Sequence, residues 1–163
     1  MKPYDSAPDT NRHREVVKGF MDGLVLELAY RAEAHDKSKL EPEEKPIFDE
    51  FTPKLADSTY GSGEYKSFLR EMGTALEHHY ANNRHHPEHF VNGMRGMDLV
   101  DLVEMFCDWM AATLRHNDGD ITNSIRQNME RFGYGETLAA ILQNTAARFN
   151  LSSRIVSESP ESA

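Results

Sequence analysis

The sequence predicts an all-α fold: a single compact helical domain of about five to six helices. Three observations carry this. Apolar residues recur at three- and four-residue spacing along most of the chain, and no stretch alternates as a strand would. The breaks between periodic segments fall on helix caps, prolines and glycine-rich turns. The 163 residues suffice for one domain with a core, and 39% apolar with 28% charged residues is globular composition.

Residues 1–9 read as a disordered N-terminus, 10–150 as the helical domain, and 151–163, polar and serine-rich, as a disordered tail. Asp9 and Thr10 suit the cap of a first helix that aligns Val17, Phe20, Met21, Leu24 and Leu28. Pro42, Glu43 and Glu44 suit the first turn of a short second helix ending before Pro53. Residues 52–63 form a loop, punctuated by Pro53 and Gly61-Ser62-Gly63. A third helix runs from about Glu64 to Tyr80, with Phe68, Met72, Leu76 and His79 aligned. Asp98 caps a fourth, on which Leu99, Val103, Phe106 and Met110 form the main stripe. Two more helices, Ile121–Phe132 and Glu136–Phe149, are separated by Gly133-Tyr134-Gly135. No repeat or interdomain linker interrupts this order.

A net charge of −9 argues against duplex nucleic acid, since no basic surplus exists to neutralise phosphates. A small phosphorylated substrate remains compatible, because bound divalent ions supply positive charge. The one cysteine, Cys107, precludes an internal disulfide. No apolar run reaches the roughly 18 residues needed to span a bilayer, and Met1–Thr10 does not resemble a signal peptide. A cytoplasmic protein without a membrane partner is expected.

Three features carry chemistry. His35-Asp36-Lys37-Ser38-Lys39 follows the first helix, where adjacent imidazole and carboxylate groups can converge on one divalent ion. A polar helix end with His35 and Lys39 near its negative pole explains the same residues without a metal. The second feature is His78 to His89, with five histidines in twelve residues. His79 continues the inward face of the third helix, whereas His78 lies about 100° away. Asn82 and Asn83 end that helix, so His85, His86 and His89 can fold back toward His79. A solvated histidine-rich loop is the alternative. The third feature is a polar strip, Asp101, Glu104, Asp108 and Arg115, on an otherwise apolar fourth helix. Buried, these carboxylates need partners or a metal; solvated, they need nothing. Both readings stand.

The order His13, His35-Asp36, His79, His86, Asp108 resembles the binuclear branch of the HD-domain superfamily. Its members are helical metal-dependent hydrolases acting mostly on nucleotides or other phosphate esters, with a minority of di-iron oxygenases. The string from His35 to Lys39 is similar to the superfamily's His-Asp-x-Gly-Lys signature, with Ser38 in place of glycine. Three blocks, His35–Leu40, Leu76–Phe90 and Glu104–Asp120, are more closely similar to an uncharacterised family of small phage and bacterial proteins.

The superfamily resemblance implies an HD-like fold and one or two divalent ions (Mn, Fe, Zn, Co or Mg) on His13, His35, Asp36, His79, His86 and Asp108, with Asp36 able to bridge. It implies a phosphohydrolase in which Lys39, Arg84 or Arg115 neutralises phosphate oxygens, while Glu104 or His78 serves as general base or orients a ligand. A di-iron oxygenase and a non-catalytic metal-stabilised binding module are the alternatives. A homodimer is compatible with it. One departure concerns His13: 22 residues before His35, it lies roughly 33 Å away if one helix joins them. Only a break near Gly19 or Gly23 returns it to the site.

Overall fold

A computed structural model of the chain describes residues 3–59, 61–114 and 119–149. Among the described residues all regular structure is helical, in seven α-helices and three short 3-10 helices, with no strand. The all-α expectation holds for them. The chain divides into two compact units, Met1–His35 and the residues from Asp36 onward, where one domain over 10–150 was expected.

The first unit is a single helix, α1 (Ala7–Ala34). It begins earlier than the predicted Asp9-Thr10 cap, so residues 7–9 are helical and not part of a disordered end. Pro8 lies in the first turn, where a missing N–H costs no hydrogen bond, and Asp5 Oδ1 accepts from the Ala7 N–H at 3.0 Å. The Tyr4 hydroxyl donates to Asp9, whose charge complements the helix dipole. Gly19 and Gly23 pass through without a break. His13 and His35 are therefore separated by roughly 33 Å along one rod and cannot share an ion within it. The predicted stripe of Val17, Phe20, Met21 and Leu24 is exposed, since a lone helix has no second surface of its own to bury it against.

The second unit opens with Asp36 in the left-handed region at φ 56°, followed by a 3-10 helix, Lys37–Leu40. α2 (Lys45–Asp57) starts after the predicted Pro42, with Pro46 in its first turn; residues 41–44 turn instead, closed by the Lys45 N–H on Glu41 O at 2.8 Å. Pro53 lies inside the helix, where it forgoes one N–H but leaves the next turn intact, so the predicted 52–63 loop shrinks to the residues after Asp57.

The predicted third helix is two. α3 (Gly63–Glu71), capped by Ser62 Oγ accepting from the Tyr65 N–H, is separated from α4 (Gly73–Asn82) at Gly73, whose φ of +49° no helix interior accommodates. Two more 3-10 helices, Pro87–His89 and Gly93–Gly96, lead to α5 (Leu99–Thr113). Asp98 caps α5 as expected: its carboxylate accepts from the Val100 and Asp101 N–H groups, and the Asp101 carboxylate answers the Asp98 N–H. α6 (Ile121–Phe132) and α7 (Glu136–Phe149) match the predicted bounds, with Gly133 at φ +67° ending α6. Arg115 and the predicted tail 151–163 lie outside the described residues.

The main core cluster of this unit is built by α5, α6, α7 and the turn between the last two, from Met105, Phe106, Trp109, Ile125, Tyr134, Ala139 and Leu142. The Tyr134 hydroxyl donates to Ile125 O at 2.6 Å, which satisfies the one polar atom of its buried ring. α5 is rotated relative to the predicted stripe. Leu99, Val103 and Leu114 are exposed, while Val100, Asp101, Glu104 and Met105 are buried. The acidic strip therefore faces inward. Among the described residues no helix is long and apolar enough to cross a membrane.

Ile125→Ala, at a site 1% exposed, should destabilise the protein by about 2–5 kcal/mol in urea unfolding. Gly73→Ala should cost about 1–2 kcal/mol through the left-handed backbone alone; an unchanged midpoint would mean that the α3–α4 break does not require glycine.

A candidate metal centre of three histidines and one aspartate

The positive φ at Asp36 sets where its carboxylate goes. Aspartate tolerates the left-handed region better than most residues, and there it turns the chain sharply into the 3-10 helix. His79 sits on the last turns of α4. Asn83, in extended conformation, ends that helix, and the turn after it returns His85 and His86 toward His79. One ligand atom each from Asp36, His79, His85 and His86 lies within 4.8 Å of the others. His79 Nε2 is 2.9 Å from His86 Nε2 and 3.4 Å from Asp36 Oδ1, and His85 Nε2 is 3.5 Å from the same oxygen.

These separations fit a single ion. Donors at about 2.0–2.2 Å from a metal lie roughly 3.0 Å apart at right angles and roughly 3.4 Å apart at tetrahedral angles. Two imidazole nitrogens at 2.9 Å also need a proton or a cation between their lone pairs.

The opposite edges of the rings face carboxylates. Glu44, fully buried, accepts from the Nδ1–H of His79 at 2.9 Å, the Nδ1–H of His78 at 2.8 Å and the Ser38 hydroxyl at 3.0 Å. With its Nδ1 proton committed to Glu44, His79 presents a bare Nε2 to the cluster. Glu104 Oε1 lies 3.1 Å from His85 Nδ1, a charge contact at the outer edge of the second ring. Asn83 donates to Ser38 Oγ at 2.7 Å and to His79 O at 2.8 Å, tying the 3-10 helix to the end of α4.

Burial disfavours the charged form of these rings. It holds His79 below the usual histidine range, with Lys39 adding to the effect. Burial, reinforced by His85 and His79 and opposed by Asp108, pushes His86 down to about 2. Both rings are neutral at physiological pH, the form that binds metals.

The other predicted residues fall into distinct places. His35 closes α1, its N–H bonded to Arg31 O at 2.8 Å, and His13 is six turns up the same helix. His78 is held by Glu44 through Nδ1 and is half exposed, so it supports the cluster's partner and not the cluster. His89 donates to Tyr80 O at 3.0 Å. Arg84 forms a two-point ion pair with buried Asp101, at 3.0 and 2.8 Å, which commits it to structure. Glu104 serves His85, as above. Asp108, outside the group of four, lines a cavity of about 710 Å³ together with Asp36, Lys39, His79 and His86. Lys39 Nζ is 2.5 Å from Asp36 Oδ2.

Two participants carry no metal-ligand signal of their own in the sequence: His85 stands only in the returning loop, and Glu44 fits a first-turn helix acid. The pairing of His78-His79 with a carboxylate 35 positions away leaves no local signal.

The protein should bind one divalent ion per chain, measured by elemental mass spectrometry after dialysis, and His79→Ala should abolish it. Glu44→Gln should keep the fold and weaken the ion's affinity about 10- to 100-fold in a chelator competition. Unchanged affinity would show that Glu44 does not orient the ligand.

No curated protein and no solved structure matches the chain. The profile of a family of unknown function, DUF5662, matches residues 2–150. On that match the chain belongs to the DUF5662 family.

Proposed function

We propose that the protein is a metal-dependent phosphohydrolase acting on a small phosphate monoester, with the metal held by Asp36, His79, His85 and His86. The observation that carries this is the convergence of three imidazoles and one carboxylate at metal-ligand separations, with Asp36, His79 and His86 on the wall of a cavity large enough for a small molecule. A divalent ion bound there would acidify a coordinated water and polarise a phosphoryl oxygen. The chain's own groups do the rest. Lys39, on the cavity wall, offsets charge on the phosphoryl oxygens. Asp108, on the same wall, takes the proton of the attacking water. Glu44 and Glu104 act through the imidazoles they hold and are positioning residues. The HD-like resemblance of the His35-to-Lys39 string supports the same reaction class, and of the HD-like ligand order Asp36, His79 and His86 stand in the cluster.

The test is phosphate release from a panel of phosphate monoesters with manganese, cobalt, magnesium or zinc. Release should depend on the metal and vanish in Asp36→Ala. Asp108→Asn should retain the ion and lower kcat at least about 100-fold. If Asp108→Asn instead loses the ion, Asp108 is a ligand and not the base. Absence of release from every ester with metal bound would overturn the hydrolase reading in favour of a non-catalytic module.

A further inference from the structure

The wall of the cavity distinguishes among phosphate esters. Two aromatic rings pack directly on the clustered imidazoles: Phe48 lies edge-on to His79 with centroids 5.4 Å apart, and Tyr80 lies 4.9 Å from His86. The same wall also carries Tyr65, Trp109 and Phe132, and Trp109 and Phe132 are stacked within 6° of parallel. A group anchored at the imidazoles therefore has its remaining atoms against ring faces and edges.

The charges on the same wall are nearly spent. Its two cations are each held by a carboxylate, Lys39 by Asp36 at 2.5 Å and Arg131 by Glu88 at 2.6 Å. Asp49 is held in turn by Lys45 at 2.7 Å, so the cations in reach of this wall are already engaged with carboxylates. A chain of several phosphates would have to displace those carboxylates from their cations. A body without charge would exchange water for aromatic surface.

We propose, on the reading of this site as a phosphohydrolase centre, that its substrate carries a single phosphate on a flat apolar or aromatic body, and that the cavity selects for that body and against polyphosphates and strongly polar esters. Specificity then comes from Phe48, Tyr65 and Trp109 more than from any charged group.

The experiment separates binding from turnover. Manganese-loaded protein is titrated calorimetrically with naphthylphosphonate, methylphosphonate and a polyhydroxylated hexylphosphonate, none of which is hydrolysed. Naphthylphosphonate should bind at least about tenfold more tightly than either of the others. Tyr65→Ser, on a wall residue distant in sequence from the ligands, should remove most of that advantage while leaving methylphosphonate affinity and metal content unchanged. Affinities within about threefold of one another, a preference for the hydroxylated compound, or an advantage that survives Tyr65→Ser would overturn the inference while leaving the hydrolase reading standing. Failure of all three to bind would sink both.

Discussion

Glu44 is a carboxylate with no solvent contact, and such a charge survives burial only when its oxygens are filled with donors. Ser38 from the 3-10 helix and His78 and His79 from α4 supply them. Much else follows from that requirement. The carboxylate fixes which nitrogen of His79 carries the proton. It joins α2's leading turn to the end of α4, and with Asn83 it sets Ser38 two residues from Asp36. Removal of the side chain would leave two imidazoles and a hydroxyl pointing at an empty acceptor position, so the same group that stabilises the packing also aims the donor atoms of the site.

A second buried carboxylate solves the same problem differently. Asp101 is fully buried on α5 and satisfied by the Arg84 guanidinium and by the Asp98 N–H. Arg84 immediately precedes His85 and His86, so this ion pair holds the turn that carries two of the four clustered side chains. The acids of α5 thus divide their work: Asp101 fixes the turn's backbone, Glu104 sets a negative charge beside the His85 ring, and Asp108 remains at the cavity. The exposed Leu99 and Val103 show the cost of that arrangement, a helix turned so that its carboxylates face inward beside Phe106 while the start of its apolar stripe faces out.

The parts of this organisation that were legible in the sequence are those encoded locally. The cap at Asp98, the glycine stop at Gly133, and the inward face of His79 depend on neighbours a few residues away. The α3–α4 break was present as Gly73, but a glycine within a helical pattern looks the same whether its φ is negative or positive. Pro53 misled in the other direction, because a proline one turn from a helix's end removes only one bond. What could not be read was every pairing across distance: Glu44 with His79, Arg84 with Asp101, Glu104 with His85. The rotation of α5 belongs to the same class, since an acidic strip declares its burial only through partners on other segments.

Three of the four clustered side chains, His79, His85 and His86, come from one stretch of eight residues, whereas Asp36 is 43 positions before His79. An ion gripped by all four would act as a cross-link, closing a long loop onto a short one. Its main thermodynamic effect would then fall on the unfolded ensemble, whose freedom shrinks with the logarithm of the loop enclosed. The short stretch can gather three nitrogens with little chain to order, and the single distant carboxylate gives the bound ion its hold on the topology.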